Sequence, residues 1–138
     1  MKKERGFTLI ELLVVIAIIG LLSTLAVVAL NNARQKSRDA RRLSDVKQIQ
    51  TALELYFNDA GAYPAALGTT IATGSVTYMN IVPTNPNPQA DGTSCASFGN
   101  YTYATQTSNS SYTLTYCLGG TTGGIPAGEH TATPAGVQ

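Results

Sequence analysis

The sequence is poor in the residues on which most catalytic and metal sites depend. Among its 138 residues there is one histidine, there are two cysteines, and there is no tryptophan. Only 12% of the residues are charged, and no lysine or arginine follows Lys47. Acid–base catalysis and metal binding need clusters of such groups. We therefore expect a protein that is not an enzyme and that uses neither a cofactor nor a metal ion.

The remaining candidate catalytic, phosphate-binding and calcium-binding residues are weakly supported. His130 has only Glu129 beside it, and no serine or cysteine has the spacing of a nucleophile. The glycine-rich stretch Gly119–Gly124 lacks the lysine of a phosphate-binding loop. Asp91 and Glu129 are too far apart in sequence to suggest a dedicated calcium site.

The basic residues occur in two clusters, although the formal net charge is only +1. One precedes residue 6, and the other runs from Arg34 to Lys47. A near-neutral chain is not typical of a general nucleic-acid binder. The second cluster, which includes Arg38, Arg41 and Arg42, could still neutralise phosphates. The interpretation that we prefer is a helix surface that faces solvent or lipid headgroups, or that pairs with acidic groups of neighbouring subunits.

Helix-breaking residues are absent from a long part of the chain. Neither proline nor glycine occurs from Leu21 to Ala60. The run Phe7–Leu30 has about 24 residues and one charge, Glu11, whereas a helix needs about 20 apolar residues to cross a bilayer. Beyond it, apolar residues recur at spacings of three and four from Leu43 to Phe57. These patterns predict one helix over Phe7–Asp59, spanning a membrane in its first half and amphipathic in its second.

The composition changes to threonine, serine, glycine and asparagine after Pro64. Residues 65–97 are expected to be mainly loop, with a short strand at 76–79. Alternating residues over 101–106 and 111–118 predict a hairpin, with Tyr112, Leu114, Tyr116 and Leu118 facing the helix. Residues 129–133 are expected to add an edge strand. The predicted fold class is α+β, with a long helix against a small antiparallel sheet.

Cys95 and Cys117 could form one disulfide if the domain is exported, and two free buried thiols are the alternative. Cys117 is expected to point away from the helix, so that a disulfide would clamp the preceding loop over the sheet. The predicted segments are a leader at 1–6, a membrane helix at 7–30, an amphipathic helix at 31–60 and a β domain at 61–138.

The most specific signal lies at the N-terminus. A short basic segment ends in Gly6, Phe7 follows, and Glu11 comes four residues later in an apolar run. This pattern resembles the class III leader peptide of type IV pilins and type II secretion pseudopilins. The resemblance implies the type IV pilin fold, cleavage between Gly6 and Phe7 by a prepilin peptidase, and methylation of the new amino group of Phe7.

Glu11 is a charged residue within an apolar segment, and its burial there has to be compensated. A carboxylate there costs about 2.5–3.5 kcal/mol on insertion scales, and no Lys, Arg or His occurs between Phe7 and Leu30. The resemblance implies that Glu11 meets the amino group of Phe7, in the same or a neighbouring subunit, and sets the register of assembly. The alternative is that Glu11 lies at headgroup level.

Two features depart from the family pattern. Six basic residues follow the apolar run and three precede it, so the positive-inside rule favours a cytoplasmic C-terminal domain, whereas the resemblance requires the opposite. Many pilins also carry a proline in the apolar helix, and this chain has none before Pro64.

The resemblance implies a structural subunit of a type IV pilus-like filament. Its partners would be further copies of itself, the prepilin peptidase and methyltransferase, an assembly platform with its ATPase, and the cytoplasmic membrane before assembly at the cell surface. A major pseudopilin of a type II secretion system is the alternative. A different class of protein, an exported binding or enzymatic domain, would carry a conventional signal peptide cut after Ala29.

Overall fold

The computed structural model describes residues 6–137. The chain divides into two compact units, one ending at Arg34 and the other beginning at Gln35. A single unbroken helix, α1 (Leu9–Ala60), contributes residues to both units. The predicted helix is therefore confirmed, with its start two residues later and its end one residue later than expected. It ends before Gly61, whose positive φ of 72° is typical of a helix C-terminus.

Six strands follow the helix, and they form two antiparallel sheets. A two-stranded sheet pairs β1 (Ile71–Thr73) with β2 (Val76–Met79). A four-stranded sheet has the order β3, β4, β5, β6. Its strands are β3 (Thr102–Thr105), β4 (Tyr112–Leu118), β5 (Gly128–Thr133) and β6 (Gly136–Val137).

The core of the second unit lies between α1 and β4. Val46, Ile49 and Leu53 of the helix are fully buried, in positions three and four residues apart. The alternate β4 residues Tyr112, Leu114, Tyr116 and Leu118 are also fully buried and belong to the same apolar cluster. The predicted helix-facing side of this strand is therefore confirmed. The fold is α+β, as the sequence predicts.

The strand predicted at 76–79 is confirmed as β2, and most of residues 65–97 is loop, as expected. The strand β1 in this region was not predicted, and it pairs with β2 across a two-residue turn at Gly74 and Ser75. Gly74 has a positive φ of 55°, which glycine adopts without the strain that a side chain would add. The predicted edge strand, β5, is not an edge, because β4 pairs with one side of it and β6 with the other.

Candidate assembly site

The N-terminus of α1 is capped by three hydrogen bonds between Thr8 and Glu11, donated in both directions. The backbone N–H and the hydroxyl of Thr8 donate to Glu11 Oε2, over 2.8 and 2.7 Å. The backbone N–H of Glu11 donates to Thr8 Oγ1 over 3.2 Å. This arrangement is a capping box, which satisfies N–H groups that the first helical turn leaves without partners. The Glu11 carboxylate thus has a local structural use.

Gly6 and Phe7, which flank the predicted cleavage site, precede the helix and have no regular secondary structure. The side chain of Phe7 is 82% exposed, and open space surrounds Gly6. Within the described residues, nothing blocks access to the peptide bond between them. The rest of the predicted leader, residues 1–5, lies outside the described residues.

The first half of α1 exposes apolar side chains on every side. Large apolar residues from Leu9 to Leu30 are between 75% exposed, at Leu9, and 44% exposed, at Val15. The helix is long and apolar enough to cross a membrane by length and composition. Ser23 and Thr24 donate their hydroxyls to the carbonyls of Ile19 and Leu21, over 2.7 and 2.8 Å. The polar groups of this segment are therefore satisfied within the helix, which suits it to a nonpolar medium.

The two cysteines form a disulfide in the second unit. Cys95 lies in the loop before β3, and Cys117 lies on β4. Both are almost fully buried. Cys117 alternates with the core-facing residues Tyr116 and Leu118, so the bond ties the loop to the opposite face of the sheet.

Arg42 is the largest fully buried side chain in the described structure. It donates from Nη1 to Asp39 Oδ1 at 2.7 Å and to Asp91 Oδ2 at 3.1 Å. It also donates from Nε to Asn85 Oδ1 at 2.7 Å and from Nη2 to the carbonyl oxygen of Pro88 at 2.9 Å. One helical guanidinium therefore holds the loop that contains Asn85, Pro88 and Asp91.

The two carboxylates around this guanidinium have further partners. Asp91 also accepts two hydrogen bonds from Arg38, and these, followed by those from Arg42, lower the pKa of its carboxyl. Asp39 accepts the backbone N–H groups of Gly119 and Gly120, each over 2.9 Å. Each buried carboxylate therefore has a cationic partner and additional donors, which offset the cost of its burial.

This network corrects the preferred interpretation of the basic cluster at two of its six positions, and the other four basic residues are exposed as expected. Arg38 and Arg42 do not face solvent or headgroups, because they bind Asp91 within the same chain. Asp39 and Arg42, three residues apart on the helix, form an ion pair, and Arg41 and Asp45 approach to 4.0 Å. A nucleic-acid surface built on Arg38, Arg41 and Arg42 is not assembled, since of the three only Arg41 is well exposed.

Two features of the site, the cap at Thr8 and the ion pair of Arg42 with Asp91, were not predicted from the sequence. Thr8 was not singled out, although a threonine three residues before a glutamate at the start of an apolar run is a capping-box signal. The ion pair between Arg42 and Asp91 could not be predicted from the local sequence, because 49 residues separate the two. No group of three or more histidine, cysteine, aspartate or glutamate residues able to hold a metal ion occurs in residues 6–137.

Comparison with known families gives a match at the N-terminus. Residues 1–27 match the model of the prokaryotic N-terminal methylation motif. The match includes Gly6, Phe7 and Glu11, the three residues singled out for processing and assembly.

Curated relatives extend the similarity into the second half of α1 and beyond. The chain is 36% identical over 90 residues to "Type II secretion system core protein G" of Pectobacterium carotovorum, an alignment that covers 65% of this chain and 56% of that protein. It is 30% identical over 89 residues to the protein of the same name in Vibrio cholerae, covering 64% and 57%. It is 37% identical over 91 residues to "Probable minor fimbrial protein" of Dichelobacter nodosus, covering 59% and 57%.

The chain spans little more than half the length of these relatives. No solved structure matches it significantly.

Proposed function

Because this chain belongs to the family of type IV pilins and type II secretion pseudopilins, we propose that it is a structural subunit of a pilus-like filament. The observation that carries the proposal is the apolar segment from Leu9 to Leu30, whose large side chains are all exposed. Such a surface needs a membrane before assembly and other copies of the same segment afterwards. Burial contributes about 25 cal/mol per Å² of apolar surface, so bundled helices need no covalent links.

The proposed pathway begins in the cytoplasmic membrane, with the C-terminal domain outside. A prepilin peptidase cuts the bond between Gly6 and Phe7, and the new amino group of Phe7 is methylated. An assembly platform and its ATPase then move the subunit into the filament, which extends to the cell surface. The exposure of Phe7, and the open space beside the Gly6 α-carbon within residues 6–137, support access by the peptidase.

The proposed role of Glu11 is to guide assembly through its charge, in addition to capping the helix. We predict that Glu11→Val leaves the chain inserted in the membrane and impairs filament formation. Membrane fractionation and electron microscopy of sheared filaments test both parts. A normal filament yield from Glu11→Val would exclude the assembly role.

A major pseudopilin of a type II secretion system is the second candidate, and the relatives named as secretion core protein G favour it. The disulfide between Cys95 and Cys117 favours a pilin, and so does the lack, within residues 6–137, of a group of three or more acidic, histidine or cysteine residues that could hold calcium. The two roles differ in what a strain loses when the chain is deleted. Loss of surface filaments with normal secretion supports the pilin, and retention of exoproteins inside the cell supports the pseudopilin.

A further inference from the structure

The four-stranded sheet has two edge strands, β3 and β6, which differ in how they are protected from pairing with another chain. β6 has only two residues, and a very short edge strand is one of the usual protections. β3 has four residues and keeps a regular register with β4 throughout. Those residues, Thr102–Thr105, include no charge and no proline, which are further common protections. The outer edge of β3 therefore lacks the features that usually prevent strand addition.

The backbone of Tyr103 points away from β4. The N–H of Gln106 donates to the carbonyl oxygen of Ser111 over 2.9 Å, so these two residues form a hydrogen-bonded pair of the hairpin. Such pairs alternate with non-hydrogen-bonded pairs along an antiparallel ladder. Tyr103, opposite Leu114, is therefore a non-hydrogen-bonded pair, and its N–H and C=O are directed to the outer edge. Within residues 6–137, neither group pairs with backbone outside the sheet.

A groove of about 500 Å³ lies against this edge. Its volume is within the range of ligand sites, about 300–1,000 Å³. Asn100, Tyr101 and Tyr103 form one side, and loop residues 65–69 and 82–84 form the other. None of the lining residues carries a charge, and the loop side is mostly apolar. The open backbone groups of Tyr103 therefore border an uncharged groove.

Several polar side-chain atoms of the groove are already in use within the chain. The hydroxyl of Tyr101 donates to Asp45 Oδ2 over 3.1 Å, and that of Tyr103 donates to a backbone carbonyl just after α1 over 2.8 Å. Asn100 Oδ1 accepts a backbone N–H over 2.8 Å. These bonds hold one wall in place and leave the edge backbone as its source of regularly spaced hydrogen bonds. An extended polypeptide has donors and acceptors at the matching spacing.

We propose that the outer edge of β3 binds an uncharged, extended segment of another protein as an added antiparallel strand. The residue opposite Tyr103 donates to the Tyr103 carbonyl oxygen and accepts from the Tyr103 N–H, and its side chain enters the groove beside Tyr101. A charged side chain there would lose water without gaining a partner. The site therefore selects segments whose alternate residues are apolar. This binding function goes beyond the filament role and does not require a filament to form.

Peptide binding to the full chain in detergent tests the site. The probe is acetyl-Thr-Val-Thr-Trp-Thr-Val-Thr-amide, and empty micelles give the background. Because the chain has no tryptophan, fluorescence anisotropy of the peptide reports its binding. The unmodified chain should bind the probe saturably. Replacing the two valines by lysine and glutamate should weaken binding at least about tenfold. Absence of saturable binding above the background would overturn the proposal.

A pair of variants locates the binding on the protein. Ala66→Phe places a ring in the groove and should weaken binding at least about tenfold. Ala127→Phe adds the same ring at another exposed position, outside the groove lining, and should leave binding within about twofold. Circular dichroism shows whether each variant is folded. Equal binding by two folded variants would show that the groove is not the site.

A pair of methylated peptides tests strand addition without changing the protein. Residues whose side chains enter the groove are the ones whose backbone N–H faces β3. Methylating the backbone nitrogens of the fourth and sixth residues of the probe should therefore weaken binding at least about tenfold. Methylating those of the third and fifth, which face away, should change it less than about threefold. Equal binding of the two peptides would contradict strand addition.

A neutral sugar provides the remaining comparison. Maltotriose offers hydroxyl groups without a polypeptide backbone, so it should not displace the probe. Displacement by maltotriose, with no difference between the two methylated peptides, would assign the groove to a glycan and overturn the proposal. None of these outcomes depends on filament assembly, so the docking site and the filament proposal fail or stand separately.

Discussion

The guanidinium of Arg42, buried on α1, donates to the carboxylate of Asp91 in a loop 49 residues later in the chain. Both groups are shielded from water, and Asp39 lies on the same guanidinium nitrogen. A charged cluster therefore joins the helix to the loop that precedes the disulfide cysteine Cys95. The loop is fixed at two places, by ions at Asp91 and by the covalent bond at Cys95.

Removing the central cation should destabilise the protein strongly. Arg42→Met leaves Asp39 and Asp91 buried with too little compensating charge, and we expect a loss of about 3–5 kcal/mol in unfolding free energy. Chemical denaturation of the full chain in detergent, followed by near-UV circular dichroism, measures the change. Arg41→Met is the matched control, because its exposed, 4.0 Å contact with Asp45 should contribute under about 1 kcal/mol. Equal losses from the two variants would contradict the role of the cluster.

Acid should weaken the same cluster. Hydrogen bonds from Arg38 and then Arg42 lower the pKa of Asp91 below its ordinary value of 3.8. A carboxyl with a lower pKa in the folded state stabilises that state above the unfolded pKa, and the stabilisation is lost as pH falls through the folded pKa. Burial raises the pKa of Asp45, which acts in the opposite direction. The difference in melting temperature between the unmodified chain and Asp91→Asn isolates the effect of Asp91. It should be steady at neutral pH and shrink below about pH 4, and a difference independent of pH would contradict the ion pair.

The disulfide should contribute substantially to the stability of the second unit. The bond closes a loop with a sequence separation of 22 residues, for which chain entropy gives about 3 kcal/mol. Cys95→Ser with Cys117→Ser should lower the unfolding free energy by about that amount. Added reductant should lower the unfolding free energy of the unmodified chain and leave that of the double variant unchanged. An unfolding free energy that stays the same on complete reduction would show that the loop is held by the Arg42 cluster alone.

The two uses of Glu11 can be separated by two substitutions. Glu11→Gln keeps a side-chain oxygen that can accept from Thr8 and removes the charge, whereas Thr8→Ala removes the cap and keeps the charge. If charge guides assembly, Glu11→Gln should lose filaments and Thr8→Ala should retain them. Filament counts by electron microscopy, alongside membrane content by immunoblot, provide the comparison. The reverse result would assign Glu11 to capping alone.

The sequence carried most information where structure depends on neighbours in the chain. The apolar run and the absence of proline and glycine from Leu21 to Ala60 predicted α1 to within two residues at each end. Alternation at Tyr112, Leu114 and Tyr116 predicted the core face of β4. Both features depend on local periodicity, which a single sequence displays directly.

The sequence was least informative where contacts join distant segments. Nothing near Arg42 indicates that its partner is Asp91, so an arginine that is fully buried was expected at a surface. The strand β1 has only three residues, too few to show an alternating pattern. The position of β5 inside the sheet depends on β6, a strand of two residues. Short strands and long-range ion pairs are set by the assembled fold rather than by local preference.

The intact mass of the mature protein separates a filament subunit from a protein secreted by a conventional signal peptide. A filament subunit should begin at Phe7, carry one methyl group on its amino terminus and retain the disulfide between Cys95 and Cys117. A mature chain that begins at Leu30 would show a conventional signal peptide, and one that keeps Met1 would show no processing. Either of these masses would contradict the filament-subunit account.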